Sequence, residues 1–303
     1  MFSGILHNIK AYANHSHWNI GFVEEDIRDV LHADRLEIHW MKHGYKDRWF
    51  ADPQLLAVSD SDITVLVEEF AYSNSRGRIA KLVIDRGTYT LKEMKIILDL
   101  PTHLSFPFIY RKDGDIIIMP ENCKSDSTKM YRYNITADSL TKLSDVTSLP
   151  VTDAVIMRTF DGKEYLFSTK EPMQNMNELQ VYIFNPETLC IDDSPIQTIS
   201  FSSNIARNAG EIFEVDGVSY RPAQDCNKCY GNGVVLQRVD YRDGLFSMTD
   251  VNSFHSDYSE MNMGFHTFNT RNGLIIVDGH GYDHRVAHFL VNLLGTFKRN
   301  LRK

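Results

Sequence analysis

Carboxylate side chains recur at matching distances from tight turns along this 303-residue sequence. Asp52 and Asp153 each stand nine residues before a turn position, and Asn208 stands nine residues before Gly217. Acid–base catalysis requires one carboxylate that stays ionised and a second that is held protonated by burial or by a neighbouring negative charge. The candidates for such a catalytic pair are Asp52, Asp153, Glu121 and Glu211.

A second set of polar residues lies beside these carboxylates and is suited to binding a substrate. Arginine forms bidentate contacts with planar anions, and histidine and amide side chains bind hydroxyl groups. The same residues can equally brace neighbouring carboxylates, and an aspartate at a strand start can merely accept loop amides. The substrate-binding candidates are Glu69, His103, Asn208, Arg221, Gln224, Asp225 and His266.

These residues belong to a repeat of about fifty residues, a period that indicates propeller blades. Asp-Gly or Asn-Gly pairs between apolar runs predict β-hairpins, because both central turn residues need positive φ. Two weaker strand-like runs follow each hairpin. The sequence therefore predicts an all-β fold, a five-bladed β-propeller forming one domain over residues 1–303, with blades starting near 52, 105, 153, 208 and 264.

The propeller places the polar residues at one end of a central channel. The innermost strand of each blade lines the channel, and the second strand returns antiparallel to the same end. Residues that open first strands and residues that close second strands should therefore surround one mouth. We expect a carboxylate-lined funnel there.

The two ends of the chain have separate roles. The segment HWNIGFV is expected to add a strand to the last blade, since the unit after Gly264 is too short for four strands. Apolar residues at helical spacing predict an amphipathic helix over about 283–301, with basic residues at its end. Packing of this helix on the propeller is favoured over contact with an anionic membrane surface or a partner enzyme.

Composition excludes several classes of function. The net charge of −8 argues against a nucleic-acid-binding protein, which would need a basic face. The amino terminus lacks the features of a secretory signal, and no apolar run is long enough to span a bilayer, so a cytoplasmic location is expected. Cys226 and Cys229 form a single CxxC without a matching second pair. No metal and no cofactor are predicted.

Two sets of segments resemble known families. ADPQLL and VTDAVIM resemble the five-bladed β-propeller glycoside hydrolases of the arabinanase, xylosidase, levansucrase and invertase clan. HLSFPFIY, YRPAQDC and HTFN, among others, resemble more closely the amino-terminal domain of plant glucosamine inositolphosphorylceramide transferase and its bacterial relatives. The resemblance covers about residues 18–280 and implies a carbohydrate or glycolipid substrate.

The resemblance to the hydrolases also implies roles for individual residues. Asp52 matches the general base or nucleophile, and Asp153 matches the aspartate that tunes the acid. The general acid of the clan is a glutamate at the position of Asn208, and an amide cannot donate a proton as an acid. Either Glu121, Glu211, Glu69 or Asp225 replaces it, or hydrolysis is lost.

Two functions follow from these alternatives. One is a glycosidase-like or glycosyl-transferring protein of intracellular glycan or glycolipid metabolism. The other is a noncatalytic glycan-binding or scaffold module that works beside a separate glycosyltransferase.

Overall fold

A computed structural model describes residues 15–291 of the chain apart from 123, 171–175, 257, 259, 285 and 289. Its described residues form five antiparallel sheets and a short helix, α1 (Ile27–Val30), whose first turn is capped by Asp26. The predicted all-β fold with five blades is confirmed. Residues 286–288 and 290–291 are helical, but most of the predicted helix over 283–301, including its basic end, lies outside the described residues.

Four of the five sheets are built from strands that follow one another along the chain. The first blade contains β3 (Arg48–Val58), β4 (Asp62–Ala71), β5 (Arg76–Asp85) and β6 (Leu91–Leu98). The second contains β7 (Ser105–Lys112), β8 (Asp115–Glu121), β9 (Thr128–Asn134) and β10 (Ser139–Thr147). The third contains β11 (Thr152–Arg158), β12 (Glu164–Thr169) and β13 (Glu178–Asn185), with β14 (Cys190–Ile191) and β15 (Gln197–Ser200) both paired to β13. The fourth contains β16 (Phe213–Val215), β17 (Val218–Asp225), β18 (Gly233–Arg242) and β19 (Leu245–His255).

The fifth blade joins the two ends of the described chain. It contains β20 (Phe268–Arg271), β21 (Leu274–Tyr282), β1 (Ser16–Val23) and β2 (His39–Trp40). β1 pairs antiparallel with β21 over its whole length, from Ser16 opposite Tyr282 to Val23 opposite Ile275. The prediction that the HWNIGFV segment adds a strand to the last blade is confirmed.

The hairpin turns have the backbone conformation that their residues predict. Asp113–Gly114, Asp216–Gly217 and Asn272–Gly273 have positive φ at both positions, as a two-residue turn between twisted strands requires. The hairpin of the third blade differs, because Gly162 has positive φ while Asp161 does not, and Thr159 donates its amide across the loop to Lys163. This hairpin is therefore longer than that of the second blade.

The apolar core lies between neighbouring blades. One cluster includes Phe108 of the second blade, Phe167 and Phe184 of the third, and Phe246 of the fourth. Phe167 and Phe246 pack edge to face with ring centroids 5.0 Å apart. Truncating a buried phenylalanine to alanine costs about 3–5 kcal/mol, so these contacts fix the positions of the inner strands. The polar residues at the strand ends depend on this rigid ring.

Candidate functional site

Three inner strands contain a strained residue in their first half. Asp52, Phe106 and Asp153 have φ of 51°, 40° and 47°, in the left-handed region that non-glycine residues rarely adopt. Each lies at a β-bulge, which follows the first paired residue in β7 and β11 and the fourth in β3. Strain of this kind costs about 1–3 kcal/mol and clusters at functional sites. We call this end of the channel the strand-start mouth.

The three strained positions correct one detail of the repeat. Spacing from the turn aligns Ser105 with Asp52 and Asp153, but the structurally equivalent residue is Phe106. The second blade turns in two residues at Asp113–Gly114, whereas the third blade uses the longer loop described above. Equal spacing along the sequence therefore corresponds to positions that differ by one residue.

Each strained residue donates its backbone N–H to a carboxylate of the preceding blade. Asp52 N–H donates to Asp278 Oδ2 at 3.2 Å, Phe106 N–H to Asp52 Oδ2 at 3.0 Å, and Asp153 N–H to Glu121 Oε2 at 2.8 Å. These bonds connect the fifth blade to the first, the first to the second, and the second to the third. They hold three carboxyl groups at the strand-start mouth.

Asp153 is the acceptor of a buried arginine. Arg207 Nε lies 2.7 Å from Asp153 Oδ2, and Gln224 Nε2 donates to the same oxygen at 3.0 Å. The pKa of Arg207 is raised well above its usual range, because the attraction of Asp153 and neighbouring negative groups outweighs the burial that opposes its charge. A buried ion pair therefore lies at the centre of the cluster.

Glu121 is the carboxyl group best suited to hold a proton. Its pKa is raised well above its ordinary value, first by burial and then by the negative charge of Asp153, with which it also shares a side-chain hydrogen bond. Arg207 opposes this rise without cancelling it. Two carboxyl groups in contact favour a shared proton.

Asp52 titrates near neutral pH. Burial raises its pKa from 3.8 to about 7, and the negative charges of Glu68, Asp278 and Asp153 add to the effect, while His266 opposes it. Its Oδ1 accepts a hydrogen bond from Thr267 Oγ1 at 3.3 Å and lies 3.8 Å from His266 Nε2. At pH 7 a group with this pKa is a competent proton acceptor.

His266 is held as an imidazolium by a second aspartate. Its Nδ1 lies 2.7 Å from Asp278 Oδ2, and although burial lowers its pKa, Asp278 and Asp52 raise the pKa to about 9. The indole of Trp18 stacks on its ring with a centroid distance of 4.1 Å, and His280 also stacks on Trp18, at 4.7 Å. The strand that closes the propeller therefore supplies part of the site.

Tyr230 covers this cluster from the loop that follows β17. Its ring lies 4.9 Å from the Arg207 guanidinium and packs edge to face on His266 at 5.4 Å, while 44% of the residue is exposed. The loop also contains Cys226, which is buried, and Cys229, which is exposed. An exposed aromatic ring above carboxylates is a surface on which a sugar can stack.

Three sequence candidates lie away from the cluster. Glu69 is held between two arginines of its own blade, with Arg48 Nη1 at 2.9 Å and Arg78 Nη2 at 2.8 Å. Asp225 turns outward, because its carboxylate accepts from His255 Nε2 at 2.9 Å and from Asn227 Nδ2 at 2.7 Å. Neither carboxylate contacts Asp52 or Asp153 in the described structure.

Glu211 also lies elsewhere, at the other end of the channel. It lines a pocket with Arg111 and Arg271, both near hairpin turns. Glu211 precedes the short strand β16. Because β17 runs antiparallel to β16, it returns Gln224 to the strand-start mouth, whereas Glu211 lies closer to the turn. The structure places Glu211, a sequence candidate for the partner of Asp52, in a pocket with Arg111 and Arg271.

Asn208, Arg221 and His103 have bracing contacts. Asn208 Nδ2 donates to Asp153 O at 2.7 Å and Phe167 O at 3.0 Å, and its Oδ1 accepts from Arg221 Nε at 2.7 Å. Arg221 is fully buried, and burial lowers its pKa to about 9. His103 accepts from the Gly77 N–H and lies 3.2 Å from Glu68 Oε1. The first two residues are enclosed by protein groups and leave no atoms for a ligand.

One group among the described residues has the composition of a metal site. Ligand atoms of Asp52, His266 and Asp278 lie within 4.8 Å of one another. Asp278 already accepts the backbone N–H groups of His266 and Thr267 on Oδ1, and His266 Nδ1 and Thr267 Oγ1 on Oδ2. Because these protons fill the acceptor positions, the group fits a hydrogen-bonded ion pair better than a metal centre.

Sequence reasoning missed Trp18, Arg207 as the partner of Asp153, and Asp278. Asp278 was detectable as a polar residue inside the apolar run IIVDGH, since a buried charge needs a partner.

A separate groove of about 1770 Å³ lies beside β1 and β2 and is lined by histidines and aromatic rings including Trp40 and Tyr89. No described helix is long and apolar enough to cross a membrane.

Two comparisons with known proteins agree with this architecture. A β-xylosidase/α-arabinofuranosidase of the GH43 type from a compost microbial metagenome, solved with xylotriose, is 13% identical with a TM-score of 0.51, covering 77% of this chain and 86% of that chain. An exo-β-1,3-galactanase from Phanerochaete chrysosporium, solved with β-1,3-galactotriose, is 11% identical with a TM-score of 0.53, covering 75% and 59%. These similarities establish the fold.

Sequence relatives are more specific. Glucosamine inositolphosphorylceramide transferase 1 of Oryza sativa subsp. japonica is 29% identical over 203 residues, which are 65% of this chain and 27% of the relative. The protein of the same name from Arabidopsis thaliana is 26% identical over 247 residues, 73% of this chain and 32% of the relative. This chain therefore spans about a third or less of the curated relatives it matches. Residues 38–289 match the family described as glucosamine inositolphosphorylceramide transferase 1, N-terminal, and the chain belongs to that family.

Proposed function

We propose that the strand-start mouth binds a glycosyl group and performs acid–base chemistry on it, in hydrolysis or transfer. The family and the fold both support a carbohydrate-active role. The observation that carries the proposal is the placement of two buried carboxyl groups, Asp52 and Glu121, at the strand-start mouth, where each accepts the N–H of a strained residue on the next blade. Burial raises the pKa of both, to about 7 for Asp52 and well above its ordinary value for Glu121. A protonated acid and an ionised base are the two groups that glycosyl chemistry needs.

The roles follow from the two environments. Asp52 ionises near pH 7, so it acts as the base or nucleophile. Burial and the negative charge of Asp153 raise the pKa of Glu121, so it acts as the acid that Asn208 cannot be. Arg207 forms an ion pair with Asp153, and Tyr230 offers a face for the sugar ring.

A panel of aryl glycosides, sugar phosphates and nucleotide sugars tests this function. Asp52→Asn and Glu121→Gln should each lower kcat by about 10²–10⁴-fold, because each removes one proton-transfer group while keeping the side-chain shape. Asp216→Asn, at an exposed turn, is the control and should keep wild-type turnover. Full activity in Asp52→Asn would reject the mechanism.

The pH dependence provides an independent test of the assignment. The value of kcat/KM should rise as Asp52 ionises around pH 7 and fall at higher pH as Glu121 loses its proton. Asp52→Asn should abolish the rising limb.

A second function is favoured by one observation, the enclosed amide of Asn208 at the position of the clan acid. In this function the propeller binds a glycan without turnover, beside a separate glycosyltransferase. Binding of a sugar from the panel by wild type, with no turnover of any member, would favour the binding module over the enzyme.

A further inference from the structure

A second polar pocket lies at the turn end of the channel, away from the strand-start mouth. It has a volume of about 310 Å³ and is lined by residues of several inner strands, including Arg111, Ile156, Glu211, Phe213 and Arg271. We call it the turn-end pocket. Arg111 follows the strained Phe106 by five residues along the same strand, a separation of roughly 16 Å at the strand rise of about 3.3 Å per residue.

Two arginines from different blades face this pocket together. Arg111 belongs to β7 of the second blade and Arg271 to β20 of the fifth blade. Burial and the positive charge of Arg271 together lower the pKa of Arg111 to about 10, and the two guanidinium groups repel each other. Arg111 remains charged at neutral pH, since its pKa is still well above 7.

The protein does little to neutralise the positive charge of these arginines. Arg111 Nη2 donates to the carbonyls of Leu55 at 2.8 Å and Leu56 at 3.3 Å, which orients the group without neutralising it. Glu211 interacts electrostatically with both arginines. Within the described part of the chain, neither guanidinium forms an ion pair with it at 4.0 Å or less. The three charged groups therefore surround a space and do not close on one another.

The other acidic groups of the pocket leave this charge in place. Glu164 accepts the hydroxyl of Tyr110 at 2.7 Å and lies 3.7 Å from Arg158 Nε, so it already has partners. Glu214 is exposed to solvent. Burial raises the pKa of Glu211, so this carboxyl group takes up a proton more readily than an exposed glutamate.

We propose that the turn-end pocket binds a phosphate group, either inorganic phosphate or a phosphate monoester, between Arg111 and Arg271. Guanidinium groups bind phosphate oxygens through paired N–H donors, and two of them match the charge of a phosphate dianion. Glu211 is placed to donate a hydrogen bond to a phosphate oxygen when protonated and repels the anion when ionised. The proposal is independent of the chemistry at the strand-start mouth.

Calorimetric titration of the full chain with inorganic phosphate at constant ionic strength tests this site. Arg271→Gln should weaken binding at least 10-fold, because it removes one of the two guanidinium groups. Arg158→Gln is the matched control, since Arg158 lines the same pocket but is 73% exposed and turned toward Glu164, and it should change affinity less than 2-fold. Glu211→Gln should strengthen binding at pH 8, where it removes a negative charge.

Several outcomes would overturn the proposal. One is a wild-type protein that binds no phosphate at 10 mM. Another is equal weakening of phosphate binding by Arg158→Gln and Arg271→Gln, which would indicate diffuse charge attraction. Asp52→Asn should leave the phosphate affinity unchanged. Loss of phosphate binding in Asp52→Asn would place the anion at the strand-start mouth. Glycerol 3-phosphate is titrated in parallel. Tighter binding of glycerol 3-phosphate indicates a site for a phosphate monoester, and tighter binding of inorganic phosphate indicates a site for the free ion.

Discussion

Replacing Asp52 by asparagine should make the folded protein more stable at pH 8. The pKa of Asp52 is about 7 in the fold and 3.8 in its ordinary state, so between these values the folded protein binds a proton that the unfolded chain does not. Stability therefore falls as pH rises through this interval. At 1.36 kcal/mol per pKa unit, the loss reaches about 4 kcal/mol above pH 7.

Asparagine avoids this loss but gives up some contacts. The carboxylate accepts from both the Phe106 N–H and Thr267 Oγ1, whereas the amide has one oxygen, so one bond worth about 1 kcal/mol is lost. The attraction of His266 for the carboxylate is already included in the pKa of about 7 and is not subtracted again. The expected net gain in the free energy of unfolding is about 3 kcal/mol at pH 8. At pH 4 the variant should be less stable than wild type by about 1 kcal/mol.

Urea unfolding followed by tryptophan fluorescence at pH 4, 6 and 8 measures this difference. Asp225→Asn is the control with the opposite sign. Burial raises the pKa of Asp225, but hydrogen bonds from Asn227 and His255 outweigh it and hold the pKa below 3.8, so its contribution to stability is present at neutral pH and is lost as pH falls. A variant Asp52→Asn that is less stable than wild type at pH 8 would refute the reasoning.

Three further perturbations have defined outcomes. Glu121→Gln should unfold at higher urea concentration than wild type at pH 8, because it removes a carboxyl group whose raised pKa opposes folding at that pH; a lower midpoint would contradict this. Arg207→Gln should lower the free energy of unfolding by about 3–5 kcal/mol, since it leaves Asp153 buried beside one amide, and adding Asp153→Asn should restore part of the loss in the same urea assay. Trp18→Leu should lower the free energy of unfolding by about 1–2 kcal/mol through loss of its stack on His266, measured by thermal unfolding, and an unchanged melting temperature would argue against the stack.

The blade architecture follows from local signals in the sequence. Asp113–Gly114, Asp216–Gly217 and Asn272–Gly273 demand positive φ and therefore mark three hairpins without knowledge of the rest of the chain. The closing strand was predictable from the number of strands per blade, because the last unit is too short for four strands and the amino-terminal segment can supply the missing one. Both signals are properties of short segments.

The site depends on contacts between blades, which spacing does not encode. Successive side chains of β17 point to opposite faces of the sheet, so Gln224 contacts Asp153 while Asp225 contacts His255. Which of two adjacent residues enters the site depends on strand register. Arg207 and Asn208 are likewise adjacent, yet Arg207 meets Asp153 and Asn208 meets backbone carbonyls. The intracellular location, the basic end of the carboxy-terminal helix and a carboxylate-lined funnel stay predictions.

A crystal structure of Asp52→Asn soaked with an oligosaccharide from the substrate panel would show where the glycosyl group binds. We expect a sugar ring beneath Tyr230, with its anomeric carbon between residue 52 and Glu121 and a glycosidic oxygen within hydrogen-bonding distance of the Glu121 carboxyl group. A sugar bound only in the groove beside β1 and β2 or in the turn-end pocket, with the strand-start mouth filled by water, would contradict it.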